Sequence, residues 1–530
     1  MKKQYDYIVI GSGFGGSVSA LRLAEKGYTV AVLERGKRFR SKDYAKSNWN
    51  LKKAFWLPQI SLYGIQAMTL LKDVFILHGA GVGGGSLVYA NNLLVPPDEV
   101  FMDPKWGDSK WKQEIMPYYE RARKMLGAVQ SPLVTKGDEL LRECAENAGG
   151  GETFHINDVA VYFGEEDVEV PDPYFDGKGP TRTGCIKCGA CMTGCRNNAK
   201  NTLDMNYLYL AEGLGVDIFP ETNATAVIPA KDGGYFIETR STTGLFKRTK
   251  EFRADKVIFA GGVMGTLPLM FECKQEGYLP DISDQLGNIV RTNSEALVGT
   301  VAKDTSFDYS EGIAITSGIY PDENTHIETV RYGKGHDAMS MISTLMVGGG
   351  KPWPRPLRYL AGILTHPWRF LRSILPRNWA ERTTILLVMQ KIDNYLRFEY
   401  KPSWYLFGKK ALKSNWNTEK KVPSYIPVAN EYAERMSEKI GGESMSVLPE
   451  VLFDTSSTAH ILGGAIMSKS AKDGVIDFSG KIHGYDDLYV IDGSSVPVNL
   501  GVNPSLTITA LAEYFMEKVP KKKTDTTLSQ

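Results

Sequence analysis

The chain opens with Tyr5-Asp-Tyr-Ile-Val-Ile-Gly11-Ser-Gly13-Phe-Gly-Gly16-Ser-Val-Ser-Ala-Leu-Arg-Leu-Ala-Glu-Lys-Gly27-Tyr-Thr-Val-Ala-Val-Leu-Glu34-Arg35. An apolar, β-branched run ends in the spacing G-x-G-x-x-G, a helical pattern follows, and Gly27 leads to a second apolar run closing on Glu34. The order strand, glycine turn, helix, strand, acid is that of a dinucleotide-binding βαβ unit. Gly11 permits the tight turn, Gly13 lets backbone N–H groups approach a pyrophosphate, and Gly16 lets the helix pack close to the strand. The helix N-terminus brings partial positive charge to the phosphates, and Glu34 is placed to accept from a ribose.

With 530 residues the chain is too long for one compact core and is expected to divide into domains. A net charge of +1 gives no reason to expect a nucleic-acid partner. The first strand starts within a few residues of Met1, so no signal peptide is expected. No apolar run is long enough to span a bilayer. Six cysteines, four of them crowded together, do not read as a secreted disulfide framework. A cytoplasmic protein, with peripheral membrane contact the one qualification, is the expectation.

A second glycine cluster, Gly79-Ala-Gly81-Val-Gly83-Gly84-Gly85-Ser86-Leu-Val-Tyr-Ala-Asn91, lies between two apolar runs. There the backbone must approach something closely or take positive φ, which suggests a second contact to the dinucleotide. Near the C-terminus stand Ser457-Thr-Ala-His460-Ile-Leu-Gly-Gly, Asp492-Gly493-Ser-Ser-Val-Pro and Gly501-Val-Asn503-Pro504-Ser-Leu.

Together these blocks resemble the glucose–methanol–choline (GMC) flavoprotein oxidoreductases, and within them the cholesterol-oxidase branch. The resemblance implies an α/β (α+β overall) fold: a Rossmann-like FAD-binding domain, and a substrate-binding domain with an antiparallel sheet and helices. It divides the chain into FAD-binding parts at 1–100, 201–300 and 454–520. Between them lie a substrate-side insert with the cysteine cluster at 101–200 and a substrate-binding domain at 301–453, and a disordered tail follows at 521–530. FAD is the implied cofactor, with Gly11, Gly13, Gly16, Glu34, Gly83, Gly84, Ser86, Asn91, Gly261, Asp492, Gly493 and Pro504 as its contacts.

The family's catalytic His–Asn pair falls on His460 and Asn503. The proline that follows the family's His is Ile461 here. Some members attach FAD covalently through a His near the place of His78, but the cholesterol-oxidase branch holds it noncovalently, and that is expected here. These enzymes also draw a base from the substrate domain, which falls near Glu381. The implied reaction is oxidation of a hydrophobic secondary alcohol, such as a 3β-hydroxysterol, by hydride transfer to the flavin. An imidazole near its ordinary pKa of about 6.5 suits the hydroxyl proton, and O2 or a redox protein would take the electrons. A membrane-surface electron-transfer flavoprotein and a nicotinamide-dependent reductase are the alternatives.

Cys185-x2-Cys188-x2-Cys191-x3-Cys195 has the spacing of bacterial ferredoxin runs, here followed by Arg196 rather than Pro. The subset Cys185, Cys191, Cys195 is similar to the cluster ligands of an FAD-dependent glucose dehydrogenase subunit of the same family. The run reads as an iron–sulfur site (3Fe-4S or 4Fe-4S), a structural zinc site, or metal-free thiols.

From Lys351 to Gln390, leucines, isoleucines and Trp353, Trp368 and Trp379 interleave with Arg355, Arg358, Arg369, Arg372 and Arg377. This reads either as a core-packing helix pair or as a basic amphipathic segment on an anionic membrane surface. After the cysteines, a helix over LYLAEGLG capped by Thr202 or Asp204, and a small antiparallel sheet over 216–260, are predicted.

Overall fold

The strand Gln4–Ile10 runs parallel to Val30–Leu33, Tyr7 opposite Val30, and the helix Phe14–Glu25 crosses between them. On its other side Gln4–Ile10 pairs in parallel with Thr249–Phe259, Tyr7 opposite Lys256 and Ile10 opposite Phe259. The computed structural model describes residues 4–244, 246–349, 352–374, 377–403, 408–416 and 420–523.

The segment 216–260 does not form a separate antiparallel sheet. Thr222–Pro229, Tyr235–Ser241 and Thr249–Phe259 are antiparallel to one another, but Asp217–Phe219 joins Val30–Leu33 in parallel. Thr249–Phe259 also takes Leu488–Val490 as a parallel neighbour. One seven-stranded sheet results, assembled from three distant parts of the chain. The long strand makes this happen: its first half serves the hairpin, and its buried second half, Val257, Ile258 and Phe259, belongs to the dinucleotide core. The helix Tyr207–Gly213 is capped by Asn206, whose side chain accepts from the Tyr207 N–H, and not by Thr202 or Asp204.

A second seven-stranded sheet is antiparallel throughout, in the order Ser343–Leu345, Glu443–Val447, Ala296–Val301, Thr383–Gln390, Thr325–Val330, Ile315–Asp322, His155–Ile156. The helices Lys136–Asn147 and Pro427–Lys439 cover one face, with Leu141 and Met436 packed on Ile327 and Leu386. The other face, carrying Ile315, Val330, Leu387 and Met445, turns toward the first sheet.

The end of the basic segment is not helical. Thr383–Gln390 is a central strand of this second sheet, as a β-branched run buried on both faces should be. Before it come the helices Arg355–Thr365, Pro367–Ile374 and Trp379–Arg382. Trp379 is buried, so it marks no membrane interface, whereas Trp353 and Trp368 are 61% and 74% exposed. Arg355 is buried too, its guanidinium satisfied by the carbonyls of Val347, Ser424 and Glu450.

The C-terminal helix Ser505–Glu517 packs on the first helix. Buried Glu513 accepts from Arg22 Nε at 2.8 Å and Nη2 at 2.7 Å, and from the Tyr207 hydroxyl at 2.7 Å. A charge buried this deeply persists only when fully paired. This ion pair fixes the N-terminus of the last helix beside the first glycine turn. Of the tail, residues 524–530 lie outside the described residues. Lys522, just before them, bonds through its N–H to the Lys26 carbonyl and through its ammonium to Asp6.

Candidate active site

Three helix N-termini open onto one groove: Phe14–Glu25, Val263–Gln275 and Ser505–Glu517. None carries a side-chain cap bond or an acidic residue in its first turn, which leaves each with unsatisfied donors and partial positive charge. Glycines make the approach. Gly11 has φ +110°, and a Cβ there would lie 2.3 Å from the Ala260 oxygen. A Cβ on Gly16 would lie 2.1 Å from the Gly11 oxygen, so helix and strand touch. Gly13, Gly262 and Gly265 face open space, with nothing within 4 Å of an added Cβ. The second glycine cluster closes over the first: a Cβ on Gly84 would meet Gly13 Cα at 2.6 Å.

Gly11, Gly13, Glu34, Gly84, Gly261, Asp492, Gly493 and Pro504 all border this groove. Gly16, Gly83, Ser86 and Asn91 stand behind its wall. Ser86 is spent on the loop itself, donating to the Gly83 carbonyl and accepting from Leu203 N–H. Asn92, not Asn91, borders the groove. Glu34 accepts from Ser12 and from Gly36 N–H. Asp492 ties the turn Gly493–Ser495 to the adjacent helix through Gly262 N–H at 2.8 Å and Thr266 Oγ1 at 2.6 Å. An open, glycine-lined channel with three positive helix ends fits a dinucleotide of FAD's shape and charge.

The groove runs on into an apolar chamber between the two sheets, and the combined cavity is about 380 Å³. Met68, Leu77, Tyr332, Trp379, Leu387 and Met445 line the apolar end. His460 and Asn503 both border this cavity, and Glu328 interacts with both of them.

His460 follows the short strand Ser456–Thr458, which pairs in parallel with Val74–Gly79 and so hangs the histidine beside the second glycine cluster. Its Nδ1 lies 2.6 Å from Glu295 Oε1, and the other oxygen of Glu295 accepts from Ala459 N–H at 2.8 Å. Nδ1 is thus the bonded nitrogen, leaving Nε2 available to a molecule in the cavity that His460 borders. Burial pulls the His460 pKa down, but the Glu295 carboxylate, helped by Glu328, raises it above its ordinary value overall.

Asn503 Nδ2 donates to Glu328 Oε2 at 3.0 Å, and Asn92 and Asn157 donate to Glu328 Oε1 at 2.6 and 2.9 Å. Burial pushes the Glu328 carboxyl up to about 7, against these three carboxamides and His460. Two buried carboxyls thus flank the pair, one on the imidazole and one on the amide. Neither was singled out by sequence reasoning. Glu295 closes a polar run, Arg291-Thr-Asn-Ser-Glu295, every residue of which is buried in the fold. Glu328 sits in Thr-His-Ile-Glu-Thr-Val, and a carboxylate amid a strand buried at every position was the available signal.

Glu381 is not brought to the site: it pairs with Lys334 at 2.8 Å and does not border the cavity. His78 does border it, with Nε2 3.1 Å from the Thr69 hydroxyl and Nδ1 3.5 Å from Arg35. Burial and Arg35 lower its pKa to about 3, so it is neutral.

Residues 407–512 match the GMC oxidoreductase family and residues 6–49 the FAD binding domain family. A cholesterol oxidase of Acinetobacter baumannii is 44% identical over 98% of this chain and 95% of its own length. One of Mycobacterium tuberculosis is 44% identical over 98% and 92%. This chain is a GMC oxidoreductase of the cholesterol-oxidase-like branch. It is an FAD-dependent enzyme acting on CH–OH donors. A long-chain-alcohol oxidase of Arabidopsis thaliana is 24% identical over 98% of the chain and 68% of its own length. Among solved structures, formate oxidase superposes with a TM-score of 0.62 at 14% identity, covering 97% of this chain and 98% of that one. At that identity the likeness concerns the fold alone.

The four cysteines of the run are free thiols, as are Cys144 and Cys273. Cys185, Cys191 and Cys195 share one apolar cluster with Ala199 and Ile313, and Cys188 is exposed. Burial, with the neighbouring thiols adding to it, pushes Cys185 up to about 12 and Cys188 up to about 11. Among the described residues no three His, Cys, Asp or Glu side chains stand close enough together to share one metal ion. Nor is any described helix long and apolar enough to cross a membrane.

Proposed function

We propose that the enzyme oxidises a bulky hydrophobic secondary alcohol of the 3β-hydroxysterol class to its ketone, with His460 and Asn503 at the reacting hydroxyl. The observation that carries this reading is the position of His460 and Asn503 at the mouth of an apolar chamber, where the glycine-lined groove ends. FAD in the groove supplies the hydride acceptor. The hydride leaves carbon only as the O–H proton is drawn off, and Nε2 of His460 is the group facing that proton. Glu295 holds the ring and stabilises the imidazolium that forms. Asn503, fixed by Glu328, orients the substrate oxygen and opens the helix whose N-terminus faces the cavity. The Met-, Leu- and Trp-lined chamber accepts a fused apolar ring system and offers nothing to a sugar. The names of the two 44% relatives point the same way.

The helices Arg355–Thr365 and Pro367–Ile374 support a membrane-surface setting. Tyr359 and Phe370 pack inward with Leu345 and Val451, over strands that carry Ser343, Met445 and Val447 into the chamber. Leu364, Trp368 and Trp353 are exposed, and beside them Arg369 and Arg372 pair with Glu443 while Arg358 donates to the Trp353 and Gly349 carbonyls. An apolar substrate drawn from a lipid surface would enter beneath them.

The alternative is a dehydrogenase that passes electrons through an iron–sulfur cluster to a carrier, and the cysteine run favours it over direct reaction with O2. Anaerobic addition of a 3β-hydroxysterol to the flavin-loaded enzyme decides between turnover and none. Bleaching of the flavin band is expected, and a band that stays oxidised with sterols, while long-chain primary alcohols bleach it, overturns the sterol assignment.

A further inference from the structure

One face of the second sheet carries more titratable groups than the His460–Asn503 pair uses. On Thr325–Val330, His326 and Glu328 stand two positions apart and so share a face, the one whose Val330 borders the cavity. His155 and Asn157 alternate in the same way at the sheet edge, and Asn157 is bonded to Glu328. Between them Gly318 stands opposite both His155 and Glu328. A Cβ there would lie 2.5 Å from His326 Nε2 and 3.2 Å from His155 Nε2, so the two rings meet over a residue without a side chain.

The rings are joined. Their Nε2 atoms are 3.2 Å apart, and with centroids 5.2 Å apart and planes crossing at 16° they lie edge to edge. Tyr320 stacks on both, 4.5 Å from His326 and 5.3 Å from His155. Burial, with the Glu328 carboxylate adding to it, raises the Tyr320 phenol to about 12.

The partners fix where the protons sit. The Thr153 carbonyl, 2.9 Å from His155 Nδ1, can only accept, so that nitrogen carries a proton. Burial lowers the pKa of both imidazoles, which are therefore neutral at pH 7. His155 Nε2 is then a lone pair, and the proton between the rings belongs to His326 Nε2. That leaves His326 Nδ1 a second lone pair, buried and without a partner among the described residues. Asn92 Oδ1 and Asn157 Oδ1, on two of the carboxamides that hold Glu328, also lack partners there. Apolar rings would serve a core stack better; two imidazoles and three unpartnered polar atoms beside a carboxyl need another reason.

Lone pairs and protons are ordered in one direction. Glu328, held near neutrality by burial, can both take and give a proton at working pH. Two positions of strand place Glu328 and His326 about 7 Å apart, a span that one water on Asn157 Oδ1 and His326 Nδ1 closes. His326 accepts at Nδ1 as its Nε2 proton moves to His155, and it is too deeply buried to store the charge. His155, half-buried at the sheet edge, hands a proton to solvent.

We infer that Glu328, His326 and His155 form the outlet through which the proton of each oxidised alcohol leaves the cavity for solvent. As the C–H and O–H bonds break, the hydride carries its electron pair to the flavin. The proton passes from His460 to Glu328 and by the two rings to water, so one proton appears outside per ketone formed. The outlet rests on the alcohol oxidation proposed above; the tautomers of the two histidines do not.

Two measurements test it. Long-range 15N–1H correlation spectra of the full chain, labelled at its seven histidines, should show His326 protonated at Nε2 and His155 at Nδ1. The signals are assigned by their loss in His326→Leu and His155→Gln. A proton on His326 Nδ1 would overturn the outlet, whatever the substrate. In the second, flavin-loaded enzyme is mixed anaerobically with a 3β-hydroxysterol in weak buffer containing a pH dye. Proton release by the parent should keep pace with bleaching of the flavin. In His155→Gln the bleaching should come first and the release lag about tenfold, and added imidazole should close the gap. Should His326→Leu fail to fold, Gly318→Ala, which thrusts a methyl between the rings, must give the same lag. Release in step with bleaching in these variants, or bleaching slowed as much as release, would overturn the proposal. A parent that the sterol does not bleach would remove the sterol reading instead, and the same comparison is then made with a long-chain alcohol that does bleach it.

Discussion

The groove and the chamber form one cavity, bordered by His460, but are built in opposite ways. The groove is backbone: three helix ends and glycines whose missing side chains are the binding surface. Its chemistry is fixed by residues a few positions apart in the chain. The chamber is side chain: a sheet drawn from residues 155–447, a covering of helices, and two buried carboxyls that reach His460 and Asn503 from far off in sequence, Glu328 on a strand and Glu295 just before one. The contrast teaches that a phosphate site can be written locally, because N–H groups and helix ends come in fixed order. A proton site cannot, because its pKa values come from whatever the fold packs around it.

The contrast breaks most completely at Gly11. Gly11→Ala places a Cβ 2.3 Å from the Ala260 oxygen at a positive φ, so the strand and turn must shift. Protein purified without flavin colour is expected, whatever alcohol is offered. A variant that still binds stoichiometric FAD would show the turn to be more pliable than a backbone-built site allows.

His460→Ala should do the reverse and leave FAD in place. Anaerobic stopped-flow reduction by the alcohol is expected to slow by about 10²- to 10⁴-fold. A rate within a few-fold of the parent would move the base elsewhere, and Glu328 would be the next candidate.

Glu328 tests the chamber through stability. Its pKa is raised to about 7 in the folded protein from an ordinary 4.5. The unfolded chain therefore releases that proton first, and the contribution present below pH 4.5 is lost as pH rises through 7. Glu328→Gln removes this loss, about 3 kcal/mol. In urea titrations the variant should gain on the parent between pH 5 and pH 8, and parallel curves would mean that the carboxyl is ionised throughout.

The smallest effect sharpens the role of Glu295. Its carboxylate raises the pKa of His460, so Glu295→Gln should move the rising limb of kcat/KM to lower pH while flavin content stays unchanged. A limb that stays where it was would assign that titration to Glu328.

The amino-acid sequence by itself determined the dinucleotide unit, the second glycine cluster and the family, because each is a short block whose parts must be neighbours, and it pointed to His460 and Asn503. It pointed equally to the cysteine run, whose four cysteines lie within eleven residues of chain. It fell short at 216–260, where it marked the antiparallel strands but not that Asp217–Phe219 and Thr249–Phe259 join the N-terminal strands in one sheet. It misled at Glu381, a carboxylate at nearly the right place in the chain and the wrong place in space. Only the tertiary structure decided that Glu295 and Glu328 are the acids of the site, that Asn91 turns to the cysteines and Asn92 to the cavity, and that a basic helical pair covers the chamber. Those outcomes depend on which faces of distant strands meet, and a strand's sequence says that it has a buried face without saying what lies across from it.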